Sequence, residues 1–228
     1  MILRGVLFDF NGTLYFDNQM DIASLNQSLC EFGGVERDVQ HIVSNIFGRD
    51  NFTVFRQNVR EDATEAELEA FCRRKSELYM QNCRTAPKGA SLADGAEEML
   101  DELKARGIPF CLATGSEWFR VEFYLEHLGL GRWFDADNIV FADGTYPCKP
   151  APDIYRIAAK KIGLTPEECL VFEDGSSGII SANRAGAGAV VLVHEDGYPC
   201  PLNEDTRVDA EFHDFCNWKA ILNEYGIL

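Results

Sequence analysis

Apolar and polar positions change rhythm twice along the chain. Val6, Leu7 and Phe8 form a short continuous apolar run that ends in a polar, glycine-containing turn. Such a run predicts a strand buried on both faces. From about Asp21 to Cys83 the spacing becomes helical. Phe52, Phe55 and Val59 recur at helical intervals, as do Leu68, Phe71, Cys72 and Leu78 behind a capping box of Thr64 and Glu67. After Pro87, Lys88 and Gly89, strand and helix alternate. Asp94 is placed to cap a helix carrying Ala96, Met99, Leu100 and Leu103 on one face and ended by Gly107. There follow a strand over 108–113, a helix to about Leu128, a strand near 139–142 and a helix over 152–162. A second capping box, Thr165, Pro166 and Glu168, then precedes a strand over 169–172, a helix to about Gly186 and a strand over 189–193.

Strands separated by helices of this length predict parallel βαβ units. The expected architecture is α/β: a Rossmann-like parallel sheet core formed by residues 1–15 and 88–228, with residues 16–87 inserted as a helical cap domain. In such sheets ligands bind beyond the carboxyl ends of the strands, so the polar residues just after each strand are the ones to weigh. They are Asp9, Asn11, Gly12 and Thr13; Thr114, Gly115 and Ser116; Lys149 with Pro150; and Glu173 with Asp174. Each alone has an ordinary structural role, as a turn residue, a helix cap or a solvated charge. Together they supply a carboxylate nucleophile, hydroxyl donors, a cation and paired carboxylates, the parts that phosphoryl transfer requires.

The bulk chemistry narrows the classes of partner. With 46% hydrophobic and 25% charged residues in 228, the composition is that of an ordinary globular protein. A net charge of −16 argues against a nonspecific nucleic-acid surface or docking on anionic lipid, because both need clustered Lys and Arg. An anionic substrate would have to be met locally, by a metal and a few basic groups. Eight scattered cysteines without a CxxC pair read as reduced thiols. No basic stretch leads into a long apolar one near the start, and no apolar run approaches the ~18 residues of a membrane span, so a cytoplasmic protein without an obligate protein partner is expected.

FDFNGTL, LATGS, KPAPDIY and FEDGSSGIISANRAGA, in that order, resemble the four motifs of the haloacid dehalogenase superfamily. The chain is similar in particular to the helical-cap subgroup that includes β-phosphoglucomutase-like phosphatases. The resemblance implies that Asp9 attacks phosphorus to form an aspartyl-phosphate that water then hydrolyses. Thr114 and Lys149 would bind the phosphoryl oxygens, and Gly12, Thr13, Gly115 and Ser116 would lie around the substrate. Asp9, the backbone carbonyl of Asn11 and Asp174 would hold Mg²⁺, with Glu173 a direct or water-mediated partner; all-oxygen ligation suits that hard cation. Gly48 and Arg49 resemble a cap loop that reaches substrate, where Arg49 would clamp a second phosphate or a carboxylate; an exposed, helix-linking Arg is the competing reading. The implied substrate is a small phosphorylated metabolite.

Position 11 departs from the pattern. Phosphatases and mutases of the superfamily carry Asp there as general acid and base, and this chain has Asn11. A carboxamide cannot exchange that proton, a step typically worth about 10²- to 10⁴-fold. Three readings stay open: a phosphatase in which another residue, a water or a good leaving group takes over; a phosphate-ligand-binding protein with weak or no turnover; or a different reaction of the same superfamily, such as phosphomutase, C–P or C–halogen chemistry. C–P and C–halogen chemistry rank below phosphatase, because the cap has no evident Schiff-base lysine and metal-free dehalogenation would leave Glu173 and Asp174 unexplained.

Overall fold

The computed structural model describes residues 3–47, 49–86 and 91–228. Gly48 and the Pro87, Lys88 and Gly89 break lie outside those residues. The chain divides into two compact units, residues 1–16 with 91–228, and residues 17–90.

The larger unit is built on six parallel strands: β1 (Gly5–Phe8), β2 (Phe110–Ala113), β3 (Ile139–Val140), β4 (Cys169–Glu173), β5 (Ala189–Val193) and β6 (Ala210–Phe212). Their order in the sheet is β3-β2-β1-β4-β5-β6. Every residue of β1, β2, β4 and β5 is buried, which is why these strands read as unbroken apolar runs instead of alternating ones. Five helices accompany them among the described residues: α5 (Ala96–Ala105), α6 (Trp118–His127), α7 (Asp153–Lys161), α8 (Ser176–Ala185) and α9 (Trp218–Glu224). Leu7, Cys111 and Val171 pack with Tyr155 and Ala158 of α7 and with Ile179 and Ala182 of α8 in one apolar cluster. Small alanines there let both helices sit close to the sheet.

The expected elements are present with bounds shifted by a few residues at most, and three details differ. Asp94 does not cap α5: the cap position is Gly95, which makes no side-chain cap bond, and the Asp94 carbonyl instead accepts the Phe215 amide at 2.8 Å. The Thr165 capping box closes a single 3-10 turn, Pro166–Glu168. β6 and α9 were not anticipated: β6 has three residues, none fully buried, whereas α9 buries Trp218, Ile221 and Leu222 at helical spacing.

Residues 17–90 contain α1 (Asn18–Glu31), α2 (Val39–Asn45), α3 (Asn51–Asn58) and α4 (Glu65–Thr85). The Thr64 and Glu67 capping box opens α4. Phe32, Phe55 and Phe71 meet edge-on with centroids 5.1–5.7 Å apart. Phe52 is exposed, and Val54 takes the buried position beside Phe55, so the apolar face of α3 is turned from the one its aromatic spacing suggests. No helix among the described residues is long and apolar enough to cross a membrane, and all eight cysteines are free thiols.

Candidate active site

The chain steps from β1 outward to β2 and β3, then returns to pair β4 on the other side of β1. That reversal opens a crevice at the carboxyl ends of β1 and β4, where ligands of open α/β sheets bind. Asp9 is the first residue past β1, Thr114 the first past β2, and Asp174 the first past β4, whose last residue is Glu173. Strand register therefore aligns these groups: Phe8 pairs with Phe172 on one side and with Leu112 on the other. The turn ahead of α7 adds Lys149.

Lys149 joins the groups. Its Nζ donates to Asp9 Oδ1 at 2.6 Å, to Glu173 Oε1 at 2.6 Å and to the Ala113 carbonyl at 3.1 Å. Thr13 Oγ1 donates to Asp9 Oδ2 at 3.2 Å. Glu173 is held from both ends: Oε1 also accepts the Tyr155 hydroxyl, and Oε2 accepts the amides of Asp174 at 3.1 Å and Gly175 at 3.4 Å. Two glycines make room. A Cβ on Gly178 would lie 1.8 Å from Glu173 Oε1, and one on Gly12, where φ is +79°, would lie 2.1 Å from Asp174 Oδ2.

Burial sets the electrostatics. It pushes the Asp9 carboxyl up to about 7, against the lowering pull of Lys149. Burial alone would lower the Lys149 ammonium, but Asp9 and Glu173 outweigh it and hold that pKa above its ordinary value. Desolvation, reinforced by Glu173, keeps the Tyr155 phenol well above the usual range, so it stays a donor. Asp9, Glu173 and Asp174 each offer a carboxylate oxygen, all within 4.8 Å of one another. Three carboxylates thus face one ammonium, an excess of negative charge that a divalent cation would offset. Their all-oxygen character, with the cradle that Gly12 leaves beside Asp174, fits Mg²⁺.

Asn11 lies in a hydroxyl network beside this cluster. Ser116 Oγ donates to Asn11 Oδ1 at 3.0 Å, Asn11 Nδ2 donates to the Tyr124 hydroxyl at 3.0 Å, and the Ser116 and Tyr124 hydroxyls are 3.2 Å apart. Thr114, fully buried, accepts the Ser116 amide on Oγ1 at 3.1 Å. Gly115 is exposed, and nothing would crowd a Cβ there. Arg49 belongs to residues 17–90, where Nη1 donates to Gln57 Oε1 at 3.0 Å. Sequence reasoning passed over Tyr155 and Tyr124. Tyr155 closes the KPAPDIY segment and could have been found there; Tyr124 carries no local signal, since its partner Asn11 is 113 residues away.

A buried carboxylate and a lysine thus meet at the switch point of a parallel sheet, with hydroxyls around them. The model of haloacid dehalogenase-like hydrolases matches residues 3–186, and the chain belongs to that family, as a hydrolase of the phosphatase type. It is 28% identical to the fructose-1-phosphate phosphatase YqaB of Escherichia coli, over 82% of this chain and 94% of that one. A haloacid dehalogenase hydrolase of family IA, variant 3, from Entamoeba histolytica superposes with a TM-score of 0.85 at 31% identity, covering 99% of this chain and 98% of the other. The β-phosphoglucomutase of Clostridium difficile shares the fold, with a TM-score of 0.79 at 20% identity and coverage of 98% and 97%.

Proposed function

We propose that this chain is a Mg²⁺-dependent phosphatase of a small phosphorylated metabolite, in which Asp9 is the nucleophile, Lys149 and Thr114 receive the phosphoryl oxygens, and Asp9, Asp174 and the Asn11 carbonyl hold the metal. The observation that carries this reading is the double contact of Lys149 Nζ with Asp9 and Glu173 at 2.6 Å. It places a cation beside a buried carboxylate, so that an anionic phosphoryl group can approach it despite the acidity of the whole chain.

In the first step an Asp9 carboxylate oxygen forms a bond to phosphorus while the bond to the leaving oxygen breaks; in the second, water displaces Asp9 from phosphorus and inorganic phosphate departs. Thr13 fixes the second Asp9 oxygen, so the attacking one is presented in a single orientation. Glu173, whose two oxygens already accept four hydrogen bonds, orients Lys149 and suits a water-mediated rather than a direct part in metal binding. When bound, Mg²⁺ would neutralise negative charge on the transferring group. Gly12, Gly115 and Ser116 line the approach to Asp9 in this reading. The free thiols agree with a reducing, cytoplasmic setting.

The test is release of inorganic phosphate from an activated aryl phosphate and from sugar phosphates such as fructose 1-phosphate, with Mg²⁺ and with chelator. Metal-dependent turnover that disappears in Asp9→Ala is the expected outcome. Turnover that survives Asp9→Ala, or that ignores chelation, would sink this assignment, and tight phosphate binding without turnover would favour the ligand-binding reading that Asn11 raises.

A further inference from the structure

The hydroxyl network around position 11 bears on which phosphoryl donors this site can use. Four contacts tie the three side chains together: Ser116 Oγ–H to Asn11 Oδ1, Asn11 Nδ2–H to the Tyr124 oxygen, the Tyr124 hydroxyl to Asn11 Oδ1 at 3.3 Å, and the Ser116 and Tyr124 hydroxyls with each other. Tyr124 is fully buried and Ser116 nearly so. The Tyr124 ring is packed 4.5 Å from that of Phe10, the residue between Asp9 and Asn11. The carboxamide is thus built in, with both ends held by partners that match an amide. It has no proton to give at neutral pH.

The side-chain donors bonded to Asp9 and Glu173 among the described residues already have their acceptors. The three N–H donors of Lys149 are directed at Asp9, Glu173 and the Ala113 carbonyl. The Thr13 hydroxyl donates to Asp9 and the Tyr155 hydroxyl to Glu173. With no proton passed from position 11, a leaving oxygen departs as an anion, carrying the electron pair of its broken P–O bond. Alkoxides leave poorly in this way, whereas carboxylates and acidic phenolates are stable anions.

From this the geometry points to a site selective for phosphoryl donors whose leaving group departs as a stable anion, acyl phosphates foremost and activated aryl phosphates after them, with simple alkyl phosphates as poor substrates. Asn11 is the specificity-determining residue, and Ser116 and Tyr124 position it. The inference rests on the phosphatase reading above. Balance is kept without a further reactant: the Asp9–phosphorus bond forms as the leaving carboxylate or phenolate departs, and water later converts the phosphorylated Asp9 to free carboxylate and inorganic phosphate.

The experiment compares kcat/KM for acetyl phosphate, 4-nitrophenyl phosphate, phenyl phosphate and glycerol 3-phosphate, with Mg²⁺, in the wild type, Asn11→Asp, Tyr124→Phe and Asp9→Ala. In the wild type the value is expected to fall at least about 10²-fold from the acyl to the alkyl donor. Asn11→Asp is expected to raise the alkyl ester about 10²-fold while the acyl donor stays within about tenfold, collapsing the spread. Both hydroxyls can turn to donate to the new carboxylate, so two bonds of the network survive in that variant. Tyr124→Phe is expected to keep the steep wild-type series. A wild type that cleaves alkyl and acyl donors alike overturns the inference, and if Tyr124→Phe then restores a steep series, the tyrosine is the proton source. The wild-type series decides the matter even where a variant fails to fold. Absence of Asp9-dependent turnover on every donor is a different result: it removes the phosphatase reading and this inference with it.

Discussion

Lys149 and Lys75 are exposed to the same small degree, 14% and 13%, and each meets a carboxylate, yet they do different things in their two units. Lys75 sits 3.1 Å from Asp21, itself 23% exposed, at the edge of a cavity of about 90 Å³ that Arg49 and Asn51 also line. Water and other polar groups reach that pair. Lys149 faces two carboxylates whose side chains are 10% and 2% exposed, with Asp174 beside them. The same kind of ion pair is a local tie in one unit and a strained cluster in the other, because desolvation grows faster with burial than attraction repays it. In the second, burial raises the Asp9 carboxyl to about 7.

Removing each lysine sharpens the contrast. Lys149→Ala leaves Asp9 and Glu173 buried without a counter-charge and should cost about 3–5 kcal/mol in urea unfolding of the metal-free protein. If the loss is no greater than that of a surface pair, the cluster is better hydrated than its burial implies. The pH dependence should be of comparable size. The Asp9 pKa of about 7 in the fold lies above its ordinary 3.8, so the folded state binds that proton more tightly than the unfolded chain. The contribution of Asp9 to stability is therefore whole below about 4, is lost as pH rises towards 7, and changes no further above it. Metal-free Asp9→Asn should gain on the wild type over that interval, read as melting temperature against pH; a constant difference would show that Asp9 titrates normally.

Gly178→Ala drives a methyl group into the Glu173 carboxylate, and about 1–3 kcal/mol of destabilisation is expected together with a fall in kcat. Retained activity would mean that Glu173 can move without misplacing Lys149. Lys75→Ala should be the mildest, about 1 kcal/mol, since its carboxylate partner remains in reach of solvent. A loss as large as that of Lys149→Ala would erase the distinction between the two pairs.

Burial explains which elements could be read ahead of the structure. β1, β2, β4 and β5 are enclosed on both faces, so their apolar runs were plain, and the capping box of α4 is a local motif that needs nothing beyond Thr64 and Glu67. β6 could not be read because a three-residue, incompletely buried strand leaves no apolar run, whereas the helical spacing of Trp218, Ile221 and Leu222 in α9 was there to be read and was passed over. The cap of α5 falls one residue later than the sequence suggests, on Gly95, and the Asp94 carbonyl accepts the amide of Phe215 from far along the chain.

The amino-acid sequence by itself determined the alternation of strands and helices, the polar residues that end the strands, and the substitution of Asn at position 11, because those depend on neighbours within a turn or two. Tertiary structure alone decided that Lys149 bridges Asp9 and Glu173, that Tyr155 pins Glu173, and that Ser116 and Tyr124 close a ring on Asn11. Those partners are separated by 18 to 140 residues. Hydrogen bonds act over about 3 Å, and no spacing along the chain can announce them until the sheet brings its strand ends together.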